Sequence, residues 1–185
     1  MANSYLNKIF SSNGNRRTMT ISFWCKRTNA ETETHIFGSG QGSVNSFVRF
    51  ESSDTLKIFD YNGQSDQWIV ETRRKFRDVT SWYHFHYILD TTQSTAADRV
   101  QLWVNGVRET DLNSPSYPDQ NSDLNWNTSA QSWTIGGKTY GGSTTSFFEG
   151  YLAHFNFIDG TNAPCTTFGQ FDSTTGEWKP ILNPS

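Results

Sequence analysis

The feature that most constrains this chain is alternation with period two, in short runs that each end at a turn signal. Trp82 to Asp90 is the longest run: Tyr83, Phe85, Tyr87 and Leu89 fall on one face, and Trp82, His84, His86 and Ile88 on the other. Arg99 to Val104 then runs directly into Asn105-Gly106. That dipeptide suits a two-residue hairpin turn, which needs positive φ at both positions and fixes the strand register. The turn sets Val104 opposite Val107 and predicts one apolar stripe of Val100, Leu102, Val104 and Val107. A helix cannot use such a pattern, because its apolar face repeats every 3.6 residues.

The same period recurs along the chain. Met19, Ile21, Phe23 and Cys25 share one face of a strand over Thr18–Lys26, with Trp24 on the other. Leu56 and Ile58 pair on a strand over Thr55–Tyr61, and Asn62-Gly63 turns the chain into Gln67–Thr72. His35–Phe37, Phe47–Phe50 and Ser132–Ile135 are shorter runs ended by Gly or Ser. Phe147–Ile158 is long and closes on Asp159-Gly160, with Tyr151, Ala153, Phe155 and Phe157 expected on its inner face. About ten strands separated by turns, with no heptad and no internal repeat, predict an all-β, two-sheet antiparallel sandwich spanning residues 1–185 as a single domain. Two such sheets pack about 10 Å apart.

Charge excludes one class of partner. Fifteen basic and eighteen acidic residues leave a net charge of −3, which gives no electrostatic footprint for nucleic acid. Arg73-Arg74-Lys75-Phe76-Arg77 is the densest basic run and reads as a solvated edge that discourages strand aggregation. No stretch approaches the roughly 20 apolar residues of a membrane-spanning helix, so no membrane partner is expected. Met1-Ala2-Asn3-Ser4 leads into neither a basic nor an apolar leader, so export through a cleaved signal peptide is not expected. Cys25 and Cys165 are far apart and form no metal-ligand spacing; Cys25 reads as a small core residue.

Several segments resemble the laminin G-like branch of the concanavalin A-like superfamily: Thr20–Lys26, Trp82-Tyr83-His84, Val100–Gly106 and Gly150–Ala153, in that order. The resemblance implies a jelly roll. The chain ends are similar to virion proteins of marine bacteriophages. The matching segments are Tyr5-Leu6, Ser11–Thr18, Tyr117–Asn121, Phe157–Gly160 and Phe168–Pro180. This resemblance implies a structural protein of the particle surface, on capsid or tail, that binds other virion proteins or host surface polysaccharide. A homo-trimer is the assembly it suggests. In many such proteins more sequence follows the Trp-Lys-Pro motif, so this chain is either a short member or part of a longer one.

Glucanases of the superfamily place paired carboxylates on one strand face, one to attack and one to protonate the leaving group. Glu31 and Glu33 alternate suitably, but Ile36 stands where a third carboxylate would be, and no enzymatic activity is expected. Gly38-Ser39-Gly40-Gln41-Gly42-Ser43 lacks a following helix and reads as a loop. His84 and His86 share a strand face but have no third ligand in view. No cofactor is expected, calcium being the one metal the resemblance allows. Asp60, Asp90, Asp98, Asp111, Asp119 and Asp123 lie near loop ends, which is also where any polar turn places carboxylates.

Sugar binding needs an aromatic face for the C–H groups of the ring and amides to orient it. The long polar stretch from Asp111 to Gln131 offers Tyr117, Asn121, Asn125 and Trp126, with Tyr140 in the next loop. These are the candidate glycan- or partner-binding residues. The competing reading is that Tyr117 and Trp126 pin the loop onto the sandwich. Trp24 and Trp103 fall on non-core faces, covered either by loops or by a neighbouring subunit.

Overall fold

The computed structural model describes residues 4–41, 44–140 and 143–182. Its strands are β1 (Leu6–Ile9), β2 (Thr18–Arg27), β3 (Thr34–Gln41), β4 (Val44–Phe50), β5 (Thr55–Asn62), β6 (Asp66–Lys75) and β7 (Tyr83–Asp90). A single helical turn, α1 (Ala96–Arg99), precedes β8 (Val100–Val104) and β9 (Val107–Arg108). Then come β10 (Ser132–Ile135), β11 (Lys138–Tyr140), β12 (Ser143–Thr145), β13 (Gly150–Asp159), β14 (Gly169–Phe171) and β15 (Trp178–Pro180).

Two antiparallel sheets form the sandwich. One runs β1-β10-β3-β4-β5-β6, the other β13-β2-β7-β8-β9. The non-sequential neighbours make this a jelly roll rather than a meander. The core face of the five-stranded sheet follows the alternation in the sequence: Met19, Ile21, Phe23 and Cys25 on β2, and Phe85, Tyr87 and Leu89 on β7, are fully buried. Opposite them lie Ile36, Val48, Phe50, Leu56, Ile58 and Val70 of the six-stranded sheet. Cys25 and Cys165 are both buried free thiols.

Three expectations need correction. Val107 is 62% exposed, because β9 is a two-residue strand at the sheet edge, beyond the reach of the opposite sheet. On β13 the register shifts between Ala153 and Asn156, and His154 takes φ 48°. This bulge reverses the facing of the residues before it. Leu152, Phe155 and Phe157 pack on the core, whereas Tyr151 is 59% exposed. The Gly38–Gln41 segment is strand, not loop. Gly38 lacks the Cβ that would collide with Phe47, and Gly40 the one that would meet the Thr139 carbonyl, so β4 and the β11–β12 hairpin both close over it. Gly42 and Ser43 lie outside the described residues.

A buried ion pair ties the turn before β5 to β2. Arg27 and Asp54 have side chains 1% and 0% exposed, with Nη1 2.9 Å from Oδ1. Arg27 also donates to the Phe76 carbonyl at 2.8 Å. Burial opposes ionisation of Asp54, but the Glu31 amide and the Arg27 and Arg77 guanidinium groups hold its carboxyl below the usual range.

Residues 161–180 cross the outer face of the five-stranded sheet. Ala163, Cys165 and Phe168 are buried there, over Thr20, Ser22, His84 and His86, which are also buried. Trp24, 8% exposed, stacks on His84 at 5.1 Å between ring centroids, and Trp103 is half-buried. Trp24 is thus buried within the chain itself, save for the small part that lines a cleft.

Candidate functional site

The long stretch after β9 is ordered by hydrogen bonds rather than by length alone. Leu112 and Ser116 bridge Thr72 and Ile69 of β6, so its first part runs as an added edge to the six-stranded sheet. Further on, the Leu124 amide donates to the Arg16 carbonyl at 3.0 Å, and Arg16 Nε returns a bond to the Leu124 carbonyl at 2.7 Å. Trp126 is fully buried, packed against Phe37 and Trp133 at 5.8 and 6.0 Å. It cannot be a sugar platform. Its role is the pinning one, since a loop this long needs an apolar anchor to stay ordered.

Where this loop meets the β5–β6 turn it encloses a polar cleft of about 240 Å³, lined by Asp60, Asn62, Gln67, Trp68, Tyr117, Pro118, Asp119, Ser122, Asp123, Leu124 and Asn125. Two of the expected residues, Tyr117 and Asn125, therefore meet. Tyr117 is half-buried against the core, and burial raises its phenol pKa. Asn121 is exposed, at φ 61°, and its backbone amide is bound to the Thr91 carbonyl at 2.7 Å; it does not line the cleft. The backbone of Tyr140 closes β11, but its side chain lies outside the described residues.

Asp60 is the residue that sequence reasoning undervalued. It is 2% exposed, so burial raises its pKa. It accepts from Ser46 Oγ at 2.5 Å and from the Asn125 amide at 2.9 Å. The carboxylate thus anchors the cleft's loop wall to the sheet. The only available signal was its even-numbered register with Leu56 and Ile58, which places it on the core face.

Of the loop-end carboxylates, all but Asp119 have partners within the fold, Asp60 as above. Asp123 binds Arg17 Nε at 2.6 Å, and that bond lowers its pKa. Asp98 binds Arg108 at 2.7 Å and Asp111 lies 3.5 Å from Arg73. Asp90 accepts from Thr92, Gln93 and Asn162. Among the described residues no three His, Cys, Asp or Glu side chains form a group able to hold a metal ion. His84 is also fully used: Nε2 lies 2.8 Å from Ser22 Oγ and Nδ1 accepts from Trp178. Glu31 takes φ 58° in a turn, and Glu33 is 3.2 Å from Arg49.

Comparison with known proteins agrees with this architecture. A search among curated proteins returns no match. Among solved structures, the mouse laminin alpha1 chain, domains LG4-5, superposes with a TM-score of 0.61 at 12% identity, over 85% of this chain and 40% of that one. Domain 4 of a GH43 extracellular arabinanase from Geobacillus stearothermophilus, in complex with arabinotriose, gives 0.56 at 18% identity, over 84% and 65%. The CBM40 module of Ruminococcus gnavus IT-sialidase bound to alpha2,3 sialyllactose gives 0.54 at 13% identity, over 83% and 90%. Residues 4–164 match the family model of the concanavalin A-like lectin/glucanases superfamily, laminin G type, and the chain belongs to that family.

Proposed function

We propose that this domain binds carbohydrate without transforming it, through the cleft between the β5–β6 turn and the loop at Tyr117–Asn125. One observation carries the reading. The cleft places the half-buried ring of Tyr117 beside exposed amides of Asn62 and Gln67 and the carboxylate of Asp119. That combination offers an apolar face for ring C–H groups and polar partners for hydroxyls. Carbohydrate-binding structural neighbours support the same reading. The ion pair of Glu33 with Arg49 and the apolar Ile36 at the third carboxylate position argue for binding over hydrolysis. The test is a glycan microarray of neutral and acidic oligosaccharides, repeated with Tyr117→Ala and Asn62→Ala. Binding that both variants weaken supports the cleft.

The setting we propose is the surface of a phage particle, with other virion proteins or host polysaccharide as partners. The support is the similarity of the chain ends, Ser11–Thr18 and Phe168–Pro180, to virion proteins. Mass spectrometry of purified particles of the source tests it, and absence of the chain from them would refute it.

A further inference from the structure

We propose that the outer face of the five-stranded sheet carries a second glycan site, an aromatic cleft at Trp24 and Trp82, flanked by Tyr151, that stacks neutral pyranoses. The cleft encloses about 320 Å³ and is lined by Trp24, Trp82, Ala153, His154 and Pro180. It lies on the opposite sheet from the Tyr117 cleft and shares no residue with it.

The bulge in β13 makes it. His154 sits at φ 48°, a conformation that costs a residue other than glycine free energy and persists only where its surroundings hold it. The bulge turns Ala153 outward, opposite Trp24 in the register. Alanine is too small to cover the indole, so Trp24 becomes the floor. Tyr151 stands beside it, paired in register with Lys26, and its ring lies 6.4 Å from that of Trp82, tilted by 49°. These two rings are 59% and 41% exposed, an unusual outlay of aromatic surface in a fold that buries most of its tryptophan.

The chemistry selects the ligand. The lining holds aromatic faces and a single imidazole but no carboxylate, too few ligands for a metal ion. Pyranoses with equatorial hydroxyls turn their axial C–H groups toward both ring faces, and such a face stacks on aromatic rings. Five lining residues fall well short of the roughly 20–30 a side of a stable protein interface, so a small ligand fits better than a second subunit.

The experiment titrates cellohexaose into the full chain by calorimetry and by indole fluorescence. It is repeated with Trp82→Ala, Tyr151→Ala and, as a control in the other cleft, Tyr117→Ala. Thermal melts verify folding; both ring truncations remove exposed side chains and should leave it intact. Saturable binding that Trp82→Ala and Tyr151→Ala each weaken by about tenfold, and that Tyr117→Ala preserves, supports the site. No binding of cellohexaose overturns it. So does binding lost only in Tyr117→Ala, which would assign the sugar to the polar cleft. A concentration-dependent dimer dissolved by Trp82→Ala, without sugar binding, would assign the patch to a second copy and also overturn it.

Discussion

Trp178 donates its indole N–H to Nδ1 of His84 across 3.0 Å. The bond leaves the imidazole proton on Nε2, from which it donates to Ser22 Oγ, and so fixes a neutral tautomer. It also fastens the C-terminal segment to the centre of a sheet. Gly106 and Gly169 make room for the indole, since a Cβ on either would run into the Trp178 ring. Trp178→Phe keeps the packing but strips His84 Nδ1 of its donor. We expect a loss of about 1–3 kcal/mol, read from urea denaturation. Gly169→Ala should cost at least as much by dislodging the ring.

The buried histidines set a pH dependence. Burial, aided by Arg49 and Lys138, lowers His35 to about 3. Burial lowers His84 to about 3, with His86 and His154 adding to it, and His86 to about 4. Unfolded histidine titrates near 6.5, so the unfolded chain binds more protons between those limits. Their contribution is therefore complete above about pH 6.5 and is lost as pH falls toward 4. The slope approaches three protons, about 4 kcal/mol per pH unit at its steepest. Asp60, whose pKa is raised, opposes this loss; Asp54 and Asp90, whose pKa values are lowered, add to it at the acid end. Denaturation midpoints measured from pH 7.5 to 4.5 test it, and a flat profile would contradict the buried neutral state.

Arg27 and Asp54 should show the asymmetry of a buried pair. Asp54→Ala strands a guanidinium that is 1% exposed and should destabilise by about 3–5 kcal/mol. The double variant Arg27→Met, Asp54→Ala should be less damaged than Asp54→Ala alone. Equal or greater loss in the double variant would show that the pair itself, rather than the stranded charge, carries the energy.

Asp60→Ala removes the acceptor shared by Ser46 and the Asn125 amide. We expect about 1–3 kcal/mol of destabilisation, with faster amide exchange over Leu124–Trp126 measured by hydrogen–deuterium exchange. Unchanged protection there would mean that Trp126 alone holds the loop.

The five-stranded sheet was legible because β2, β7 and β8 alternate without interruption, and period two translates directly into facing. β13 was legible as a strand but not in its facing. A left-handed histidine gives no signal of the kind an Asn-Gly turn gives, and one extra residue exchanges the faces of everything before it. The polar stretch was legible as a candidate site, yet the roles of its aromatic residues were not. Tyr117 and Trp126 have similar neighbours in sequence, and only the sheet beneath decides that one lines a cleft and the other is buried. Trp24 was read on its outward face, but its stacking on His84, which in turn binds Trp178 of the distant C-terminal segment, gave no signal in the sequence.

The most direct measurement of the central claim is a glycan microarray probed with the full chain, followed by calorimetric titration of the best-bound oligosaccharide into the parent chain and Tyr117→Ala. Saturable binding that Tyr117→Ala weakens by about tenfold while leaving the melting profile unchanged is the predicted result. Failure to bind any printed glycan would contradict the carbohydrate-binding account.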